Sequence, residues 1–262
     1  MRRMVQALGA RVRGSLLAAG EMTALVFLAV RSLHELFGPR ARIILQVTIR
    51  QIYFTGLQAL TLTGLIAFLI GGIVVIQAVT RLSLLGAANF VGDLLVIAVL
   101  RELGPLITAV IVIGRSGTAM AAELATMRQR GEVDDLEAMG IDPVQYLFIP
   151  RVIGAVVSLF CLMVYFDLLA VLGGYASLGW QTGSPLSVYF GAVNEAVTAK
   201  DLALIPVKAV LFGALFAIVS CYRGLSVGLS PTEIPRASTG AVVTSLIGIF
   251  VLDSILATVV YA

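Results

Sequence analysis

The chain has few charged residues for its size, and this scarcity excludes an ordinary water-soluble protein. Charged residues make up 13% of its 262 residues, about half the share that soluble domains carry. Hydrophobic residues make up 59%, and so much apolar surface needs lipid as its solvent. The sequence therefore predicts an integral membrane protein with one membrane domain and no second globular domain.

Histidine and cysteine are also scarce. His34 is the single histidine, which excludes a metal site or a catalytic triad built on histidine. Cys161 and Cys221 are the two cysteines, and both lie in apolar segments. We expect two free thiols that pack as small hydrophobic side chains, without a disulfide framework or a metal cluster. The nucleotide-binding pattern G-x-x-x-x-G-K-[ST] is also missing, so energy for any transport must come from a partner or a gradient.

Five apolar segments are long enough to cross a membrane, for which about 20 residues suffice. The first exceeds the thickness of the hydrocarbon core, so we expect it to tilt. The predicted spans are residues 54–79, 94–113, 152–178, 202–222 and 239–260. A further stretch, 186–197, has helical apolar spacing and follows Ser184-Pro185, which predicts a short helix at the membrane surface.

The first fifty residues form a separate region, 1–50, ahead of the membrane domain, 51–262. Their apolar run at 22–30 is too short to span a membrane. Arginines flank apolar residues at helical spacing, which favours an amphipathic helix in the membrane interface over a signal peptide. The apolar residues of this helix are Val5, Leu8, Val12, Leu16 and Ala19.

The distribution of basic residues predicts the orientation of the chain. Eight lie in the first fifty residues, four in the loop 114–151 and two in the loop 223–236. Only Arg81 and Lys200 lie on the other side. Because basic residues accumulate on the cytoplasmic side, we expect a cytoplasmic N-terminus, a cytoplasmic loop 114–151 and a C-terminus on the outer side.

The loop 114–151 is polar, with four basic and six acidic residues. Good helix formers occupy 116–128, Gly131 interrupts them, and a short acidic helix follows over 132–139, ended by Gly140. Asp142 is expected to cap the next helix, with Pro143 at its first position. Val133, Leu136 and Met139 give the short helix one apolar edge. We expect this edge to be exposed and to dock a soluble partner; the alternative is a solvated helix that serves only the fold.

Three motifs between residues 100 and 143 make the chain resemble a known family. They read L-R-E-L-G-P at 100–105, G-R-S-G-T-A-M-A-A-E-L-A-T-M at 114–127 and E-V-D-D-L-E-A-M-G-I-D-P at 132–143, followed by Pro150-Arg151. In this order and spacing, they make the chain resemble the MlaE-type permeases of ABC lipid transporters, relatives of the YrbE proteins of Mce systems. The resemblance extends over nearly the whole chain. Its motif residues include Gly114, Arg115, Gly117 and Glu123.

The resemblance implies a homodimer in the bacterial inner membrane that moves phospholipids between inner and outer membranes and so maintains outer-membrane lipid asymmetry. The implied partners are a cytoplasmic MlaF-like ATPase that holds ATP and Mg²⁺, an MlaB-like STAS subunit and an MlaD-like MCE-domain protein. No cofactor in this chain and no nucleic acid are implied. Arg130-Gly131 departs from the polar pair that many relatives have there. The implied ATPase-coupling residues are Glu132, Val133, Asp134, Asp135, Leu136, Glu137 and Met139.

Several charged residues lie inside the predicted spans, where each costs about 2.5 to 3.5 kcal/mol at the bilayer centre. They are Arg101, Glu102, Asp167, Lys208 and Asp253. Because neighbours on a helix point in different directions, Arg101 and Glu102 are not expected to share a partner. We expect one to serve the subunit interior and the other a dimer interface or cavity. Lys208 and Asp253 are expected to pair. Such pairs either fix helix register or line a polar patch of a lipid cavity.

Two glycine pairs, Gly71-Gly72 and Gly173-Gly174, predict close approach of another backbone or a point of bending. Apolar side chains are expected to line the lipid pathway. The residues predicted to line it are Leu69, Ile73, Val74, Ile76, Val99 and Leu103.

Rival functions remain at this point. Gly92-Asp93 and Phe166-Asp167 are weakly similar to the paired aspartates of membrane aspartyl proteases, but their order is reversed. An ion-driven secondary transporter usually shows repeated halves, which five unequal spans do not. A further alternative is a scaffold that anchors an ATPase and carries nothing. Another is a YrbE-like permease that imports other lipids.

Overall fold

The computed structural model describes residues 41–84, 90–182, 185–228, 230 and 232–261. The elements in these ranges are helices. The α-helices are α1 (Ala41–Thr55), α2 (Leu60–Leu84), α3 (Val91–Leu95), α4 (Gly104–Val112), α5 (Thr118–Gln129), α6 (Glu132–Ala138), α7 (Ile149–Thr182), α8 (Leu186–Ala196), α9 (Ala199–Leu225) and α10 (Glu233–Tyr261). A 3₁₀ turn, Leu57–Ala59, and three π-helical segments, Val96–Leu103, Ile113–Gly117 and Val144–Phe148, join neighbouring helices.

The prediction of five membrane-spanning segments is confirmed for the described residues. Five helical runs are long and apolar enough to cross a membrane: Ile44–Leu82, Val91–Gln129, Val144–Gly179, Ala199–Leu225 and Glu233–Val260. The amphipathic helix expected within residues 1–40 lies outside the described residues. Helix α1 runs through position 50, where the sequence suggested a boundary between two regions.

The second span is much longer than predicted. Its helical run continues without a break from Val91 to Gln129, whereas the sequence placed the end of the span at 113. The helix predicted over 116–128 is present as α5, but it extends the second span and does not form a separate loop element. The polar residues after position 113 do not end the helix, because no proline or left-handed residue occurs between that position and Gly131.

Close packing of the first and third spans explains both glycine pairs. A Cβ atom at Gly71 would lie 1.9 Å from the carbonyl oxygen of Ala170, and one at Gly173 would lie 2.0 Å from that of Phe68. Each helix therefore needs a residue without a side chain where the other backbone crosses. The prediction of close backbone approach is confirmed.

The interior divides into two clusters at opposite ends of the bundle. One surrounds Phe148, Phe212 and Phe216 and receives residues from α5, α7, α9 and α10. The other surrounds Leu95 and Phe166 and receives residues from α2, α3, α7 and α8. The charged residues of the spans lie where these two clusters meet, on the π segment Val96–Leu103 and on α9 and α10.

The short helix predicted over 186–197 is present as α8, Leu186–Ala196. Gly92 of α3 lies against it, since a Cβ there would come within 2.8 Å of the Ala192 carbonyl carbon. The buried Tyr189 phenol donates a hydrogen bond of 3.0 Å to the carbonyl oxygen of Val171 in α7. Burial raises the pKa of the Tyr189 phenol, so the group stays protonated and can donate. The helix is therefore anchored to the second and third spans.

Candidate functional site

An irregular helical segment sets the position of Arg101 and Glu102. The segment Val96–Leu103 is π-helical and leads directly into Gly104-Pro105 of α4. Such π-helical turns inside α-helices occur frequently at functional sites. Because proline at the start of α4 has no backbone N–H to donate, the hydrogen bonding of the preceding turn changes at this point. The first family motif, at 100–105, therefore coincides with a local change of helix type.

Lys208 is the centre of a buried charged cluster. Its Nζ lies 2.7 Å from Oδ1 of Asp253 and 3.4 Å from Oε2 of Glu102. It also donates a hydrogen bond of 2.6 Å to the carbonyl oxygen of Arg101. Lys208 is 1% exposed, so these acceptors replace its hydration shell. The predicted pair of Lys208 and Asp253 is confirmed, and the cluster connects the second, fourth and fifth spans.

Arg101 forms an ion pair with a different residue, Asp201 at the start of α9. The Nε of Arg101 lies 2.7 Å from Oδ1 of Asp201, and its Nη2 lies 3.1 Å from Oδ2. Thr198 donates to the same carboxylate from its backbone N–H and its hydroxyl, at 2.9 Å and 2.7 Å. Arg101 and Glu102 thus have separate partners, as predicted, but both partners lie within this chain. The assignment of one of them to a dimer interface stays a prediction.

Sequence reasoning missed Asp201 because it placed residues up to 201 in an outer connection. The residue instead occupies the first turn of α9 and closes a capping box with Thr198. The pattern Thr-x-x-Asp before an apolar run is a sequence signal for this arrangement. It would have placed the carboxylate at the helix start and so within reach of Arg101.

Asp167 interacts with Lys208 of the cluster only through longer-range attraction. The residue is 7% exposed, and neither carboxyl oxygen has a hydrogen-bond partner among the described residues. Its Oδ1 lies so close to the second span that a Cβ at Gly104 would come within 2.6 Å of it. Arg101 is neutralised by Asp201 and Lys208 by Asp253, whereas Glu102 is a second carboxylate at the same ammonium group and leaves the cluster with one formal negative charge.

The short acidic helix is confirmed as α6, Glu132–Ala138. Gly131 before it and Gly140 after it have left-handed backbones, with φ of +76° and +73°, which glycine adopts without steric penalty. Arg128 of α5 pairs with Asp134 at 2.5 Å. Asp142 caps the next turn as predicted, since its Oδ1 accepts a hydrogen bond of 2.9 Å from the backbone N–H of Val144.

The prediction that the apolar edge of this helix is exposed is wrong for two of its three residues. Val133 is 5% exposed and belongs to the core cluster around Phe216, and Leu136 packs against that cluster. Met139 is 66% exposed. The left-handed turn at Gly131 folds α6 back onto α5, which buries the edge. The free face instead presents the carboxylates of Asp134 and Asp135, together with Glu137 and Met139.

The family-motif residues tie this end of the bundle together. Arg115 donates a hydrogen bond of 2.5 Å to Oε1 of Gln58, in the 3₁₀ turn of the first span. Gly117 packs at the fourth span, where a Cβ would lie 3.3 Å from Oγ of Ser220. Glu123 lies 3.2 Å from the guanidinium of Arg151 at the start of the third span. A Cβ at Gly114 would meet no atom of the described residues within 4 Å.

The apolar residues chosen for a lipid pathway do not form one set. Leu69, Ile73 and Ile76 are exposed on the first span. Val74 and Leu103 are half-buried. Val99 is fully enclosed in the cluster around Phe166, so its side chain does not line a surface cavity in this conformation. Successive residues of a helix face different sides, and sequence alone did not indicate which side of the π segment faces inward.

Comparison with known proteins places this arrangement in a family. The family model for Permease MlaE matches residues 48–259. A probable ABC transporter permease protein of Rickettsia prowazekii is 35% identical over 79% of this chain and 80% of its own length. Another from Synechocystis is 30% identical over 94% of this chain and 90% of its own length. The chloroplastic protein TRIGALACTOSYLDIACYLGLYCEROL 1 of Arabidopsis thaliana is 32% identical over 80% of this chain and 60% of its own length. The chain belongs to the MlaE permease family.

Proposed function

We propose that this chain is the permease subunit of an ABC transporter that moves phospholipids, and that a separate ATPase subunit supplies the energy. One observation carries the proposal. A single helical run, Val91–Gln129, contains Arg101 and Glu102 of the charged cluster and ends next to the acidic helix α6. A movement imposed on α6 therefore reaches the charged cluster along one continuous helix.

The acidic face of α6 suits a soluble, basic partner surface. Asp134, Asp135 and Glu137 project from it without competing apolar neighbours other than Met139. Val133 and Leu136 anchor the opposite face in the core, so a force on the carboxylates moves α5 with α6. Complementary charge accelerates association and fixes register. An MlaF-like ATPase with bound ATP and Mg²⁺ is the partner that we propose for this face.

The transported lipid would use a space between two copies of the chain. Only 17% of the apolar stretch of the fifth span is buried within one chain, against 39–44% in the other four spans. Of the five described spans, the fifth thus has the largest face that is not buried, and we infer that a second copy packs against it. The exposed residues of this face are Val243, Ile247, Phe250, Val251 and Ile255. Leu69, Ile73 and Ile76 of the first span then offer apolar side chains to acyl tails.

The lipid assignment rests on this apolar surface and on the family. The name of the Arabidopsis relative refers to a glycerolipid, which agrees with a lipid substrate here. In the proposed arrangement the permease lies in a bacterial inner membrane, with α6 in the cytoplasm and the C-terminus outside. An MlaB-like STAS subunit would assist the ATPase, and an MlaD-like MCE-domain protein would receive or deliver the phospholipid. Import of another lipid, as in YrbE-like permeases, is the alternative substrate.

Affinity purification of the complete complex tests the proposal. We expect a nucleotide-hydrolysing subunit to co-purify with the wild-type chain and to be lost with Asp135→Lys, because the reversal places a cation in the acidic face. Glu195→Lys, an exposed reversal on α8 at the other end of the bundle, is the matched control and should retain the subunit. Complexes without an ATPase, or equal retention by both variants, would contradict the proposal.

A further inference from the structure

A cavity lies at the end of the bundle that carries α6, away from the Lys208 cluster. It has a volume of about 490 Å³ and lies between α1, the segment from Ser116 to Met127 and the start of the third span. Its lining includes the polar residues Arg50, Gln51, Glu123 and Arg151. It also includes the apolar residues Phe54 and Met120. A ligand that suits this mixed lining has an anionic group joined to an apolar chain.

The lining contains buried groups that lack a partner. Arg151 is 5% exposed, donates 2.7 Å from Nη1 to the carbonyl oxygen of Leu147 and lies 3.2 Å from Glu123. Its Nε has no hydrogen-bond partner among the described residues, and neither has the buried Oγ of Ser116. Buried polar atoms in proteins are nearly always hydrogen-bonded. Both atoms are enclosed by the protein, so they do not contact a ligand directly, but their uncompensated positive ends add to the positive potential at the wall of the cavity.

The charge of the cavity favours an anion. Two guanidinium groups, Arg50 and Arg151, face one carboxylate, Glu123. Glu123 already pairs with Arg151, whereas Arg50 is exposed and makes no ion pair with the described residues. Arginine binds phosphate oxygens with two parallel hydrogen bonds, which makes it well suited to a phosphate ester.

The cavity lies near the ends of the spans that border it. The spans that border it have 36 to 39 residues, which corresponds to about 54 Å or more of helix. This length exceeds a hydrocarbon core of about 30 Å, so the span ends extend into the headgroup layer or beyond it. Basic pockets between membrane helices at this depth bind anionic headgroups.

We propose that this cavity binds the phosphate headgroup of an anionic phospholipid from the leaflet next to α6. Arg50 donates to the phosphate oxygens, the buried Arg151 and Ser116 add positive potential behind it, and an acyl chain lies along Phe54 and Met120. The bound lipid joins α1 to α5 and to the third span, directly above the acidic helix. The site does not depend on the charged cluster or on which substrate the chain transports.

Photocrosslinking of the full-length chain in its complex tests the site. The probes are phosphatidylglycerol with a diazirine in one acyl chain, diacylglycerol with the same chain, and inorganic phosphate as a competitor. We expect phosphatidylglycerol to label the peptides that contain Phe54 and Met120, and Arg50→Gln to lower this labelling tenfold or more. Arg81→Gln, an exposed arginine at the opposite end of the first span, is the matched control and should label normally.

A second variant pair fills the cavity without removing charge. Ala119→Trp places an indole into the space from an exposed position and should abolish the labelling, whereas Val110→Trp on the lipid-facing side of the same run should not. Equal labelling by phosphatidylglycerol and diacylglycerol would overturn the proposal, because it would show an apolar groove only. Displacement by millimolar inorganic phosphate would overturn the lipid assignment in favour of a free anion. Labelling unchanged by both Arg50→Gln and Ala119→Trp would place the lipid elsewhere.

Discussion

The Nζ of Lys208 lies 2.7 Å from Oδ1 of Asp253, so a buried ion pair joins the fourth span to the fifth. Glu102 approaches the same ammonium group at 3.4 Å, which brings the second span into the contact. Removing one member of a buried ion pair destabilises a protein by about 3 to 5 kcal/mol, because the remaining charge stays uncompensated. The number of partners that each residue has in this cluster therefore predicts how strongly its substitution lowers the stability of the protein.

Lys208→Met should be the most destabilising of these changes, because it leaves two carboxylates without their cation. Asp253→Asn should be milder, since Glu102 continues to face the ammonium group. The double variant Lys208→Met/Asp253→Leu should recover much of the lost stability while phospholipid transport stays absent. Thermal unfolding in detergent and transport in vesicles measure the two effects. Normal transport by the double variant would show that the cluster only holds the helices in register.

Neutralising Asp167, unlike neutralising a member of the Lys208 cluster, is not expected to lower the stability of the protein. Neither of its oxygens accepts a hydrogen bond from the described residues, and Lys208 acts on it only through longer-range attraction, so neutral asparagine removes most of the cost of burying a charge. We expect Asp167→Asn to leave the melting temperature unchanged or to raise it. Asp253→Asn, a change of the same chemistry at a paired site, is the control and should lower it. A clear loss of stability in Asp167→Asn would indicate a partner that the described residues do not supply.

Gly71→Ala should disrupt the crossing of the first and third spans. The new Cβ would lie 1.9 Å from the backbone oxygen of Ala170, and a backbone atom cannot move aside as a flexible side chain can. Overpacking of this kind costs about 1 to 3 kcal/mol or more. At Gly114 a Cβ meets nothing within 4 Å, so Gly114→Ala should be neutral or slightly stabilising. Thermal unfolding of the two variants side by side checks this contrast.

Two substitutions on α6 distinguish its buried face from its free face. Val133→Asp places a charge in the core cluster and should lower the melting temperature of the isolated permease. Met139→Asp alters an exposed position, so the permease itself should remain stable and any loss should appear only in ATPase binding. Equal stability of both variants would mean that α6 does not pack on α5 as described.

Sequence patterns predicted the elements whose signals are local. Five apolar runs gave the spans, and Gly131 and Gly140 gave both ends of α6. The pair of Lys208 and Asp253 followed from the cost of isolated charges in a membrane. The direction in which α6 folds was not predictable, because it depends on the tertiary position of Val133. The partner of Arg101 was missed because hydropathy set the start of the fourth span too late, beyond Asp201.

The extension of the second span past residue 113 was missed for a related reason. Hydropathy reports where lipid ends, whereas helix length is set by backbone conformation, and α5 remains helical in a polar environment. Similarly, Val99 was chosen for its apolar character and turned out to be enclosed. Apolar character is shared by residues that face lipid, cavity and core.

The most direct test of the account is the transfer of a fluorescent phospholipid by the complete complex reconstituted in vesicles. The account predicts transfer that requires hydrolysable ATP, that is lost with neutralisation of Asp134, Asp135 and Glu137, and that persists with Glu195→Gln. Transfer that follows an ion gradient without ATP, or that survives neutralisation of the acidic face, would contradict it.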